Sequence, residues 1–224
     1  MIDVHERAHA SAGSSNDAVY ALVEATLDEL SIRGGFALDV GCGQGMLGRR
    51  LGGRFERYVG TDVVRHAGFP PELEFLATDL DAGRVPLPDA SADVVLCAET
   101  IEHVENPRAL VRELVRIVRP RGWVVLTTPN QLSLSSKLCL LARDRFLYFQ
   151  DGPGLYPAHI TALLEVDLLR IAAECGLEEV AVRYSGSGRM PFTARSWPRP
   201  LRYGRGFRGR AFSDNVLLRA RRPA

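Results

Sequence analysis

Leu38-Asp39-Val40-Gly41-Cys42-Gly43-Gln44-Gly45 decides how this chain folds. The apolar run from Phe36 to Val40 reads as a buried strand. It breaks into three alternating glycines just before a helix-like segment, Met46 to Leu51. Glycine at a strand-to-helix turn gives the backbone positive φ and lets a ligand approach where a Cβ would otherwise stand. Nucleotide-like cofactors are the usual occupants of such a turn. A dinucleotide fingerprint, G-x-G-x-x-G, would need its third glycine where Met46 stands. The glycines fall instead at Gly41, Gly43 and Gly45, with Asp39 two places before the first.

Working outward, Arg57 to Gly60 is the next strand candidate and leads to Asp62, 21 positions after Gly41. A carboxylate there sits at the tip of the neighbouring parallel strand, within reach of both hydroxyls of a ribose. Leu73 to Ala77 leads into Thr78-Asp79-Leu80, whose Asp79 is placed to accept from an adenine amino group. Asp93 to Ala98 runs into Glu99-Thr100-Ile101-Glu102-His103. This ordered set resembles the class I S-adenosylmethionine-dependent methyltransferases, closely from about Gly34 to Asn130 and more weakly toward the C-terminus. The resemblance implies an α/β, Rossmann-like fold. Its seven-stranded sheet is mostly parallel, with an antiparallel last strand inserted between the fifth and sixth and helices on both faces. It also implies that Gly41, Gly43 and Gly45 pass under the methionine part of S-adenosylmethionine, with Asp39 close to its amino group. Asp62 then takes the ribose, and Asp79 the adenine beside the Leu80 backbone. Glu99 faces the cofactor or the acceptor. A simpler reading of Asp39 is a helix-capping carboxylate.

Composition fits one ordinary globular domain covering residues 1–224, large enough to bury a core without staples. The net charge of +1 provides no global attraction to nucleic acid or membranes. Cys42, Cys97, Cys139 and Cys175 form no C-x-x-C pair and read as reduced thiols of a cytoplasmic protein. Met1 to Ser15 is polar and not a signal peptide, and no apolar run is long enough to span a membrane.

Asn16 or Asp17 is placed to cap a first helix with Val19, Leu22, Val23, Leu27 and Leu30 at helical spacing. A second begins at Pro107, with Leu110, Val111, Leu114, Val115 and Val118 as its buried face. Pro120 and Gly122 end it before a fifth strand, Trp123 to Thr128. A helix from Thr161 or Glu165 to Cys175 and strands Val180 to Arg183 and Asn215 to Arg219 complete the alternation. Two connections, about 130–159 and 184–212, exceed ordinary loop lengths. Topology puts both over the carboxyl edge of the sheet, where open α/β sheets bind ligands.

The residues after the fourth strand narrow the chemistry. Amino-directed nucleic-acid methyltransferases carry an (Asp/Asn/Ser)-Pro-Pro-aromatic run there, and cytosine-carbon enzymes a Pro-Cys nucleophile. Ala98-Glu99-Thr100-Ile101 is neither, so a hydroxyl acceptor is expected. Glu99, Glu102 and His103, with His159 beyond the first insertion, form a candidate hard-metal corner for Mg²⁺. That pattern is similar to metal-dependent small-RNA 2′-O-methyltransferases and to O-methyltransferases of ubiquinone synthesis. The metal-free version uses His103 or His159 as general base. Arg183, Arg189, Arg195, Arg199, Arg202, Arg205, Arg208 and Arg210 fall in one stretch with no acidic residue between Glu179 and Asp214. Tyr184, Phe192, Trp197, Tyr203 and Phe207 interleave with them. Such a stretch suits an anionic acceptor or peripheral contact with an anionic membrane, or else is a solvated loop. Leu132 to Leu141 is an apolar lid or core helix. The expected activity is O-methylation of a small-molecule hydroxyl on a natural product, quinone or sugar. RNA 2′-O-methylation is the alternative, although no separate RNA-binding domain is present. A non-catalytic cofactor-binding protein is the third reading.

Overall fold

The computed structural model describes residues 4–11, 13–152, 154–186, 188–193, 195–198 and 209–224. Arg199, Arg202, Tyr203, Arg205, Phe207 and Arg208, singled out above, lie outside the described residues. All seven described strands join one sheet in the order β3-β2-β1-β4-β5-β7-β6. They are β1 (Phe36–Val40), β2 (Arg57–Asp62), β3 (Glu74–Ala77), β4 (Ala92–Ala98), β5 (Val118–Pro129), β6 (Glu178–Tyr184) and β7 (Asn215–Arg221). β7 runs antiparallel to both β5 and β6, and the other pairs are parallel. The order reverses between β1 and β4, which opens a crevice at their carboxyl ends.

Helices α2 (Asp17–Glu29) and α3 (Met46–Leu51) cover one face of the sheet through Val23, Leu27, Leu47 and Leu51. Helices α4 (Pro107–Ile117) and α6 (Glu165–Glu174) cover the other through Leu110, Leu114, Leu168 and Ile171. With both faces covered, β1 and the centre of β4 are buried on every side, which is why they read as apolar runs, interrupted in β1 only by Asp39. Asn16 caps α2 by accepting the Val19 N–H, and Asn106 caps α4 by accepting that of Ala109. Leu132 to Leu141 corresponds to α5 (Leu134–Arg143), which buries Ser135, Ser136 and Cys139 and leaves Leu141 exposed. It is a surface helix rather than a core one. The polar N-terminus holds an unexpected helix, α1 (Val4–Ala10), with no buried residue of its own. Among the described residues no helix is long and apolar enough to cross a membrane.

Candidate active site

The glycine turn is shaped by its neighbours. Gly41, at φ +71°, stands where a Cβ would come within 2.1 Å of Thr100 Oγ1, and Thr100 leaves β4 on the adjacent strand. At Gly43, φ +51°, a Cβ would meet the Gly13 carbonyl at 2.2 Å, because the N-terminal segment runs over the turn. That segment is tied down by the Gln44 N–H donating to Gly13 O (2.8 Å). Gly45 does not face the crevice. It makes room for Phe69 and Pro70. Its role is packing, whereas Gly41 and Gly43 line a cavity of about 380 Å³ at the switch point.

Asp39 and Asp62 both line this cavity. Asp39 does not cap a helix. It is 2% exposed and accepts a hydrogen bond from Tyr58 Oη (2.8 Å). Burial pushes its carboxyl up to about 7, against the lowering effect of the Tyr58 bond. Asp62 ends β2, with Oδ2 accepting from Gly43 N–H (2.9 Å) and Oδ1 from Val63 N–H (2.7 Å). Burial raises its pKa, and those two N–H groups oppose the shift. The tip of β3 differs from expectation. Asp79 Oδ1 accepts from the N–H groups of Asp81 and Ala82, folding a local turn, and its side chain is not on the cavity wall. Thr78, Leu80 and Asp81 are. Asp81 in turn receives Arg7 Nη2 (2.8 Å), which holds α1 against the cavity mouth. Sequence reading missed this wall because a short polar segment carries no periodic signal.

Glu99 sits at the end of β4 with φ +50°, a strained conformation for a non-glycine residue. Its carboxylate accepts from Thr127 Oγ1 (2.9 Å) and Asn215 Nδ2 (2.8 Å), so it is bound to β5 and β7. Burial brings it up to about 7, with those donors pulling the other way. Glu102 is fully buried. Its Oε2 accepts from Thr128 Oγ1 (3.0 Å), while Oε1 has no hydrogen-bond partner among the described residues. Burial, then the nearby Glu99 charge, raise its pKa well above the ordinary value.

His103 and His159 meet edge to face, ring centroids 4.8 Å apart. The segment carrying His159 is pinned there because the N–H groups of Ile160 and Thr161 both donate to Glu102 O (3.0 Å each). His103 Nδ1 lies 2.9 Å from Ala158 O, and His159 Nδ1 lies 2.8 Å from Tyr148 O. A carbonyl only accepts, so each Nδ1 carries the proton and each Nε2 offers a lone pair. Burial lowers both imidazoles, His103 to about 4 with help from His159. Both rings are therefore neutral at pH 7.

Glu102, His103 and His159 present three ligand atoms within 4.8 Å of one another. Glu102 Oε1, 4.0 Å from His103 Nε2, and the two Nε2 atoms fit a divalent metal, with Thr128, Ala158 and Tyr148 behind them as orienting partners. Glu99 does not belong to the set, because its oxygens are committed elsewhere. Two imidazoles and one carboxylate suit Zn²⁺, Mn²⁺ or Fe²⁺ better than Mg²⁺, which takes oxygen ligands.

Both long connections reach the cavity. Tyr148, Gly154, Leu155 and His159 come from the first, and Arg189 from the second. The arginine stretch is less free than its sequence suggests. Arg183 pairs with Glu29 (2.9 Å) and Arg210 with Glu165 (2.7 Å), so acidic partners arrive from distant helices.

Residues 38–126 match the model of a methyltransferase domain. A probable S-adenosylmethionine-dependent methyltransferase of Mycolicibacterium smegmatis is 31% identical over 67% of this chain and 60% of that protein. The chain thus spans less than two thirds of that relative. The ubiquinone biosynthesis O-methyltransferase of Chromobacterium violaceum is 32% identical over 73% of the chain and 72% of that protein. Among solved structures, a SAM dependent methyltransferase from Archaeoglobus fulgidus shares the fold, with a TM-score of 0.61 at 17% identity, covering 91% of this chain and 94% of its own. From the relatedness over most of its length and the shared sheet, it follows that this chain belongs to the class I S-adenosylmethionine-dependent methyltransferases.

Proposed function

We propose that the protein O-methylates a small-molecule hydroxyl, with the acceptor seated between the histidine pair and the open end of the cavity. The observation that carries this reading is the pair of neutral imidazoles whose Nε2 lone pairs both point away from the backbone carbonyls that fix them. S-adenosylmethionine supplies an electrophilic methyl group. The chain's work is to align the acceptor oxygen and to remove its proton.

In this reading Gly41 and Gly43 leave room under the methionine part, Asp39 faces its ammonium, and Asp62 takes the ribose hydroxyls. Leu80 and Asp81 flank the adenine, with Asp79 shaping the turn that presents them. Glu99 closes the cavity floor between cofactor and acceptor. His159 is the better base of the two histidines, because a group lowered as far as His103 takes protons poorly near pH 7. If Glu102, His103 and His159 hold a divalent metal, that ion supplies a Lewis acid for the acceptor oxygen. A vicinal diol of catechol type then suits the site, in keeping with the ubiquinone-type relatives. The four unpaired cysteines fit a cytoplasmic setting. Incubation with labelled S-adenosylmethionine and a panel of catechols, sugars and short RNA ends tests the reading by mass spectrometry of the products. Methylation of RNA alone, or of an amine rather than a hydroxyl, overturns it.

A further inference from the structure

Two polar groups lining the cavity lack a full set of hydrogen-bond partners within the described protein. Tyr148 lies in the first insertion, and its hydroxyl oxygen is buried without a hydrogen-bond partner. A polar atom left so is costly unless something else meets it. Burial, then the Asp214 carboxylate through its charge and a contact beyond ordinary hydrogen-bond reach, raise the phenol far above its ordinary value against the opposing Arg189 charge, so it remains a neutral donor. Arg189, from the second insertion, lies over the Tyr148 ring with its guanidinium carbon 5.3 Å from the centroid. Its backbone N–H is fixed by Asp214 Oδ1 (3.0 Å), but its guanidinium comes no closer to that carboxylate than 3.7 Å. That is an ion pair without a hydrogen bond, on a side chain 48% exposed. Both residues line the same cavity as His159, whose Nδ1 is held by the Tyr148 carbonyl. Asp214 thus steers Arg189 without consuming its donors.

We propose that Tyr148 Oη and the Arg189 guanidinium form an oxyanion subsite, so that the methyl acceptor carries a carboxylate or phosphate besides its reacting hydroxyl. A planar fork of N–H donors beside a phenol donor matches an oxyanion and gives a neutral group no equivalent return. The inference rests on the acceptor-methylating reading, but its test is a binding measurement that needs no turnover. The protein saturated with S-adenosylhomocysteine is titrated calorimetrically with 3,4-dihydroxybenzoate and phenyl phosphate, each against its neutral counterpart, 3,4-dihydroxybenzamide or phenol. At least one anion should bind about tenfold or more tighter than its counterpart, and which arm responds distinguishes carboxylate from phosphate. Arg189→Gln should erase that preference. Tyr148→Phe should reduce it while keeping the ring and the carbonyl that holds His159. Equal binding of anion and neutral probe overturns the proposal, as does a preference that survives Arg189→Gln. An Arg189→Gln variant that loses S-adenosylhomocysteine affinity instead would assign the arginine to the cofactor's carboxylate and overturn it too.

Discussion

Asp62→Ala separates the two duties of one carboxylate. Its oxygens offer about four lone-pair positions. Gly43 N–H and Val63 N–H occupy one on each oxygen, which leaves about two directed at the cavity for a vicinal diol. Removing a charged acceptor from two ribose hydroxyls should cost about 3 kcal/mol, the low end for two charge-assisted bonds, since water partly replaces them. That is on the order of 100-fold in the Kd for S-adenosylhomocysteine. The same change strands the two backbone N–H groups, for about 1–2 kcal/mol of stability, or about 2–8 °C in Tm for a chain of this size. Calorimetric titration at a temperature where the variant is folded isolates the binding term. Asp62→Asn, which keeps one acceptor oxygen, should fall between Ala and wild type. A folded Asp62→Ala variant within threefold of wild-type affinity would refute the ribose assignment. Loss of affinity that merely tracks loss of Tm would refute the two-duty argument.

Asp39 and Glu99 both have folded pKa values near 7, above their unfolded values, so the folded state keeps protons that the unfolded state has released. Their contribution to stability is therefore full below about pH 4 and is lost as pH rises to about 7; Asp39→Asn should flatten that slope, and an unchanged Tm profile would contradict the burial argument. Affinity for S-adenosylhomocysteine, whose ammonium needs an ionised partner, should weaken as pH falls below 7 in wild type and lose this dependence in Asp39→Asn. Metal analysis after dialysis against Mn²⁺ or Zn²⁺ should find one ion per chain, abolished by His159→Ala and by Glu102→Ala but not by Glu99→Gln; no retained ion would leave His159 as a metal-free base. Arg7→Ala should release α1 from Asp81 and speed dissociation of S-adenosylhomocysteine in stopped-flow measurements, and an unchanged off-rate would mean that α1 is not a wall of the occupied site. Gly41→Ala should destabilise by more than about 1 kcal/mol, since the residue is held at positive φ and its Cβ would collide with Thr100; denaturant unfolding reads this directly.

Local chemistry made much of the architecture legible in the sequence. Buried parallel strands need largely apolar runs, so β1 and β4 declare themselves despite Asp39 and Asp93. The turn after β1 needs residues without a Cβ, so Gly41 and Gly43 stand out. The amphipathic stripe of α4 and the Asn16 cap of α2 depend only on neighbours three or four positions away. Asp62 was legible because strand length and sheet order fix the distance from one strand tip to the next. Contacts between distant segments were decided by tertiary structure. Whether Asp79 or Asp81 faces the cavity depends on which carboxylate the local turn consumes. Whether Glu99 or Glu102 joins the histidines depends on Thr127 and Asn215, and Asn215 reaches Glu99 only because β7 inserts beside β5. His159 meets His103 through two backbone bonds to Glu102 O, which no spacing encodes. The wall formed by α1 and the acidic partners of the arginine stretch follow the same rule. A side chain's local signal says what it can bind, but the donors and acceptors that the fold brings beside it decide which of its atoms remain free.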